Sequence, residues 1–395
     1  MRGLTNRFRL CRSKQGKTME YTRRSRVAEA LNHREPDRVP LDLTIVVQPY
    51  KELLDHFGMK DDIWWDEWAH AFPTPEVLEK LDVDVMHLPW GKTAKGFWDP
   101  KETDYIDEWG CRKIRIDDPY GGFLYQMVDH PLKDAKTIEE IEAYEHWPSF
   151  DEPRLEGFEE LVKQLYEETD FALTMTFGGN VFERSHYLRS MDEFFVDLLV
   201  EPEKAAAVMK KVLEINKKRN EQTLKAVGKY LTYFRFQGED FGSQAAPLIS
   251  VDTFRKVVRP FLEEEWRAAK AEFIKHNPDG KIAVHSCGAV FDFIDDFIDM
   301  GADILNPLQP NAAGMDTKKI KECFGDRLAF HGAVDSQGVI AQGTIEEIRE
   351  EVKQRLMDLK AGGGYILSPS HNIQSNIEPE KVIAIYETAH EYGRY

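Results

Sequence analysis

A (β/α)8 barrel is the fold class that the sequence predicts for this chain of 395 residues, on three observations. Eight short apolar segments punctuate it, and amphipathic helical stretches separate most of the later ones. Strands that alternate with helices pair in parallel through right-handed crossovers. No Gly-x-Gly-x-x-Gly turn follows any of the eight, which sets a doubly wound nucleotide-binding sheet behind a barrel. A hydrophobic content of 42% is enough for one large core, and a barrel can fill this length as a single domain.

The elements follow in order. Residues 1–18 carry Arg2, Arg7, Arg9, Arg12, Lys14 and Lys17, with no acid before Glu20 and no clear apolar face. They are expected to be a disordered basic tail ahead of one barrel spanning 19–395. A helix over 25–32, ending before the turn Arg34-Glu-Pro-Asp-Arg38, forms an N-terminal helical extension. The strand candidates are 39–46, 83–88, 172–177, 233–237, 282–285, 303–306, 328–331 and 365–368. The stretches 202–227 and 260–276 read as long helices, and Thr344-Ile-Glu-Glu347 has the capping-box pattern that opens a helix to about Leu359. An insertion at about 91–131 breaks the rhythm. Within it, 105–114 reads as a β-hairpin with Gly110 near its turn, an inserted lid.

Composition excludes several function classes. A net charge of -18 argues against nucleic acid or an anionic membrane surface as partner, because phosphate binding needs clustered Lys and Arg. No apolar stretch approaches a membrane span. The four cysteines, Cys11, Cys111, Cys287 and Cys323, are too few and scattered for a disulfide framework, so a reducing cytoplasm is expected. Cys111 and Cys323 read as structural. A homodimer is open, since barrel enzymes often pair, but no interface can be read from the residues.

The chemistry concentrates at the ends of the predicted strands, where barrel enzymes carry their sites. His285-Ser-Cys287-Gly288 closes a short apolar strand, and side chains alternate along a strand, so His285 and Cys287 point the same way. An imidazole beside a thiol suits zinc, although a buried Cys and a core His are both ordinary. Three of the twelve histidines, His285, His331 and His371, fall at strand ends on one face. A mononuclear catalytic zinc needs three protein ligands and an open position. His285, Cys287 and His371 are the candidate ligands. Glu239 is a candidate fourth, displaceable ligand or a general base. Asp240 and His331 complete the candidate catalytic set, with the alternative that Asp240 only caps a loop. Asn180, Gln309 and Asn372 are candidate substrate contacts at other strand ends. So are Trp64, Trp65 and Trp68, which with Phe72 can stack an aromatic ring or hold a methylammonium group.

Five blocks together resemble the uroporphyrinogen decarboxylase superfamily. They are the opening from Arg26 to Pro40, Gly238-Glu-Asp-Phe-Gly-Ser-Gln244, His285-Ser-Cys-Gly288, Ala302-Asp-Ile-Leu-Asn-Pro-Leu-Gln309 and His331-Gly-Ala-Val-Asp335. The resemblance implies a (β/α)8 barrel and one of two chemistries. True decarboxylases carry an Arg-rich segment after the first strand that grips substrate carboxylates; here the segment from Leu41 to Tyr50 contains no Arg. The other branch is the corrinoid-linked methyltransferases, whose zinc ligands are a His-x-Cys pair and a later Cys. The pair matches His285 and Cys287, and His371 stands where the later Cys is expected. Losing one thiolate leaves a more Lewis-acidic metal, which argues against a thiol acceptor such as coenzyme M. The resemblance therefore implies a zinc-dependent methyltransferase that moves a methyl group from a small methylated substrate to the Co(I) of a corrinoid cofactor. The donor would be an O-methyl (methoxylated aromatic) or N-methyl compound. No Asp-x-His-x-x-Gly motif is present, so the corrinoid arrives on a partner protein. The alternatives are transfer from methylcorrinoid to a thiol or a folate, metal-free decarboxylation, and a non-catalytic corrinoid-binding scaffold.

Overall fold

The computed structural model describes residues 21–60, 63–66, 68–89, 103–149, 155 and 157–395. The basic segment 1–18 and the first part of the insertion, 91–102, lie outside the described residues. Ten strands run in chain order: β1 Val85–Leu88, β2 Asp104–Ile106, β3 Arg112–Asp117, β4 Phe123–Asp129, β5 Ala172–Gly179, β6 Tyr233–Gly238, β7 Lys281–His285, β8 Ile304–Leu308, β9 Ala329–Val334 and β10 Tyr365–Pro369. Seven form one parallel sheet in the order β1-β5-β6-β7-β8-β9-β10, the α/β arrangement of a barrel. No helix among the described residues is long and apolar enough to cross a membrane.

The segment expected as the first strand, 39–46, pairs differently from the rest. Pro40 has no N–H, so a continuous ladder is broken there. The segment instead makes isolated parallel bridges, Leu41 with Leu367 and Ile45 with Ile373. On its other flank Leu41 accepts the amide of Asp84 at 2.8 Å, next to β1. An irregular eighth segment thus joins the last strand to the first.

The lid also differs from the expected hairpin. It is a three-stranded antiparallel meander, β2-β3-β4. Its turns hold Gly110 at φ 82° and Gly121 at φ 83°, conformations that only glycine adopts without strain.

The interior of the sheet is layered. The helix Arg23–Leu31, opened by a Thr22 capping box, lies across the N-terminal ends of the strands. Its Val27 and Leu31 pack with Val85, Ala172, Tyr233, Ala283, Ile304, Ala329 and Ile366, one residue from each strand. Two residues further along, on the same inward face, stand His87, Thr174, Arg235, His285, Asn306, His331 and Ser368. Barrel layers are normally branched aliphatics; this one is polar throughout.

Asp84 locks the bottom. It is fully buried and accepts from Arg26 Nη1 at 2.6 Å, Arg38 Nη1 at 2.6 Å and the amide of Leu41 at 2.8 Å. The helical plug, the irregular strand and β1 meet at this one carboxylate. Asp84→Ala leaves two buried guanidinium groups short of an anion, and a loss of about 3–5 kcal/mol is expected in urea unfolding. A change under about 0.5 kcal/mol, the size of an ordinary surface substitution, would show that the plug does not depend on this pair.

Candidate functional site

Two loops converge above the polar layer. His285 ends β7, Cys287 follows two residues on, and Asp240 comes from the loop after β6. The loops are stitched together by backbone. Ser286 Oγ accepts the Phe241 amide at 3.1 Å, Ala289 donates to Ser243 O at 2.9 Å, and Cys287 donates its amide to Asp240 Oδ1 at 2.8 Å. Gly288, at φ 82°, permits this approach: a Cβ there would lie 2.2 Å from Gly242 O.

Asp240, His285 and Cys287 present ligand atoms within 4.8 Å of one another. His285 Nε2 lies 3.5 Å from Cys287 Sγ and 3.7 Å from Asp240 Oδ1. Zinc bound tetrahedrally at about 2.0–2.3 Å from N, O and S donors separates its ligands by roughly 3.3–3.8 Å. The donor set and its spacing therefore fit zinc. Burial pushes His285 down to about 4, so the ring is neutral and carries the lone pair that a ligand needs. Burial, with the charge of Asp240, pushes the Cys287 thiol up; a bound cation reverses that balance.

A hydrogen-bond chain through the polar layer sets which nitrogen of His285 is free. Arg235 Nη1, which can only donate, bonds Asn306 Oδ1 at 2.9 Å. That oxygen also accepts from His285 Nδ1 at 2.7 Å. The Asn306 amide nitrogen must then donate to His331 Nδ1, at 2.6 Å, and His331 Nε2 donates to Asp42 Oδ2 at 2.7 Å. His87 Nε2 bonds the same carboxylate at 2.8 Å. Asp42 is fully buried, and its two imidazole partners hold it well below the usual carboxylate range against the opposing effect of burial. Every link has one consistent direction, and the result is a His285 tautomer with Nε2 bare toward Cys287 and Asp240.

The other expected site residues are placed as follows. Glu239 is not in the close group. Its buried carboxylate accepts the amides of Phe182 at 3.0 Å and Glu183 at 3.2 Å, capping the helix Val181–Arg189. Burial, then Glu265 and Glu183, push its pKa well above the usual range. Adjacent residues diverge at a strand end, so Asp240 faces His285 and Cys287 and Glu239 faces the helix. His331 has both ring nitrogens bonded and is 3% exposed, which makes it a positioning residue under His285. His371 is exposed on the loop after β10, outside the close group, with Nδ1 3.5 Å from Gln374 Nε2. Asn180 is buried and bonds Gln237 Oε1 at 2.8 Å; Gln309 accepts the Gly288 amide; the Asn372 carbonyl accepts Gln374 Nε2 at 2.9 Å. The three tryptophans separate. Trp68 packs on Tyr187 at 5.9 Å under Lys113 Nζ, Trp65 buries its indole N–H, and Trp64 is 45% exposed.

Sequence reasoning missed Glu183. Its Oε1 accepts the Tyr187 hydroxyl at 2.7 Å, and Gly238 makes room for Oε2, which a Cβ would meet at 2.3 Å. Burial, with the charge of Asp240, pushes Glu183 up to about 7. The only signal was the i, i+4 spacing of Glu183 and Tyr187 on a helix.

The family described as uroporphyrinogen decarboxylase (URO-D) matches residues 127–392. The chain belongs to that family. Among curated relatives, the uroporphyrinogen decarboxylase of Pseudoalteromonas translucida is 32% identical over 73 residues, 18% of this chain and 20% of the relative. That of Thioalkalivibrio sulfidiphilus is 31% identical over 87 residues, 21% and 24% of the two chains. The chain thus matches about a fifth to a quarter of these relatives' length. Among solved structures, a methyltransferase from Methanosarcina mazei shares the fold: TM-score 0.63 at 19% identity, over 94% of this chain and 99% of the other.

Two expectations follow from the geometry. Asn306→Ala frees the His285 ring to rotate, and zinc affinity should fall about 10–100-fold, read by competition with a chromophoric chelator. Unchanged affinity would remove the chain from metal binding. Glu239→Gln keeps an acceptor for the Phe182 and Glu183 amides. Because the folded-state pKa of Glu239 is raised, the wild type loses stability as pH rises above the ordinary value of 4.5. The stability of Glu239→Gln relative to wild type should therefore grow between about pH 5 and 8, measured by unfolding at each pH.

Proposed function

We propose that the protein is a zinc-dependent methyltransferase that moves a methyl group from a small O-methyl or N-methyl compound to the Co(I) corrinoid of a separate partner protein. One observation carries this reading: Asp240, His285 and Cys287 converge within 4.8 Å at the C-terminal end of a parallel barrel. These three residues would hold the zinc, with His371 on the neighbouring loop as the candidate for a fourth place. One thiolate and one carboxylate balance the dication, a more electrophilic site than two thiolates provide. Bound there, zinc supplies Lewis acidity toward the leaving oxygen or nitrogen of the donor.

The chain's own groups do the rest. The Asn306 amide holds the His285 ring, and the Cys287 amide holds Asp240. Glu183, poised near 7 and facing away from Tyr187 through Oε2, carries the proton that a leaving alkoxide, phenoxide or amide needs. The partner's corrinoid would accept the methyl group with the electron pair of its reduced metal as the donor's methyl–heteroatom bond breaks, and the heteroatom would take the proton held by Glu183. The lid β2-β3-β4 and the loops after β6, β7 and β10 form the surface on which the partner would dock.

Metal analysis tests the ligand set. Wild type should carry about one zinc per chain. Cys287→Ala and Asp240→Ala should lose it with the fold intact by circular dichroism. His371→Ala decides the fourth place: loss of zinc includes it, retention excludes it. Activity is read anaerobically, as disappearance of the Co(I) absorbance of a reduced corrinoid protein with a methoxylated aromatic or a methylamine. Full activity in Cys287→Ala would overturn the zinc reading.

A further inference from the structure

The polar layer contains one arginine without an anion. The five buried arginines among the described residues each face a carboxylate: Arg26 and Arg38 share Asp84, Arg184 faces Asp107, Arg189 faces Asp197 and Arg219 faces Glu108. The half-buried Arg24 spends its donors on the carbonyls of Phe171, Tyr166 and Thr169. Arg235 has neither arrangement. It stands half-buried on β6, two residues above Tyr233 of the apolar layer. Its Nη1 donates to Asn306 Oδ1 at 2.9 Å and its Nε to Thr176 Oγ1 at 3.2 Å, both neutral acceptors. A guanidinium has five N–H donors, so three have no acceptor among the described residues. Asp42 and Asp66 are both felt by Arg235, but the oxygens of Asp42 are taken by His87 and His331, and those of Asp66 by His70 and the amides of Trp68 and His70. A buried cation is normally paired, and burial here works against the charge.

The cation also sits where a substrate would lie. Arg235 and His285 bond the same Asn306 oxygen, so the guanidinium is one hydrogen-bond step from the ring that faces Cys287 and Asp240. In the same layer the Ser368 hydroxyl is fully buried without a partner among the described residues. The surroundings set the charge of the missing group. With Asp42 and Asp66 already acting on Arg235, a monoanion balances it, whereas a phosphate dianion would add repulsion.

We propose that Arg235 is the subsite for a carboxylate on the substrate, so that the methyl donor is a small carboxylic acid bearing an O-methyl or N-methyl group. This rests on the methyltransferase reading for the role of the acid, but not for its binding. The planar fork of Arg235 takes the carboxylate, and the methylated end of the molecule turns toward Asp240, His285 and Cys287.

The test is calorimetric titration of the whole protein with benzoate and with dimethylglycine, each against its neutral amide. At least one carboxylate should bind wild type in preference to its amide. Arg235→Gln should weaken that binding tenfold or more, and Arg235→Lys less, with zinc content and circular dichroism checked for each variant. Failure of both carboxylates to bind, equal binding of the amides, or unchanged affinity in Arg235→Gln would overturn the subsite. Turnover separates the two ideas. With 4-methoxybenzoate, Arg235→Gln should raise KM more than it lowers kcat, and methoxybenzene should be a poor donor for wild type. Arginine-dependent carboxylate binding without any methyl transfer would keep the subsite and sink the methyltransferase reading. Equal kcat/KM for 4-methoxybenzoate in wild type and Arg235→Gln would sink the subsite and keep the reading.

Discussion

Filling a cross-section of a parallel barrel with polar side chains calls for hydrogen bonds that close on one another, and the Asn306 amide is where those of Arg235, His285 and His331 meet. One face of it takes Arg235 and His285; the other gives to His331. An unpaired polar group in this interior would cost about 1–3 kcal/mol. The amide therefore has one orientation, and the orientation of His285 follows from it. Remove that constraint and the imidazole has no reason to turn Nε2 toward Cys287.

The apolar layer beneath makes this arrangement possible. Val27 and Leu31 seal the strand starts, and Asp84 clamps the plug to β1 through Arg26 and Arg38. Water is kept from the floor, so the charges of Asp42 and Arg235 act at low dielectric. Above the polar layer, glycines let two loops cross at backbone contact, and the crossing places Asp240 beside Cys287. The site is thus assembled by three strata with different chemistry: a dry floor, a directional hydrogen-bond layer, and a pair of loops carrying ligands.

Much of this was legible in the residues. The strand pattern implied a barrel, and the alternation of side chains placed His285 and Cys287 on one face, because a period of two is a local property of the backbone. The same rule, applied to every strand, would have found His87, Arg235, Asn306 and His331 in one layer. His87 and Arg235 carry no motif of their own, so only the shared register of the strands reveals the layer. Other features were not legible. Glu239 and Asp240 are neighbours of the same charge, and only the turn after β6 decides which one meets Cys287. Glu183 lies mid-helix, where a carboxylate is usually solvated.

By itself, then, the sequence determined the parallel strand–helix alternation, the N-terminal helix, and the imidazole–thiol pair, all set by periodicity and short-range spacing. Tertiary structure alone decided that Asp240, rather than His371 or Glu239, closes on that pair, that His331 supports His285 from below, and that Arg235 has no counter-ion among the described residues. Each of these depends on contacts between segments tens to hundreds of residues apart, such as His331 with Asp42 across 289 positions. Local pattern carries no information on which side chains meet at such a distance, because register and loop crossing are set by packing of the whole barrel.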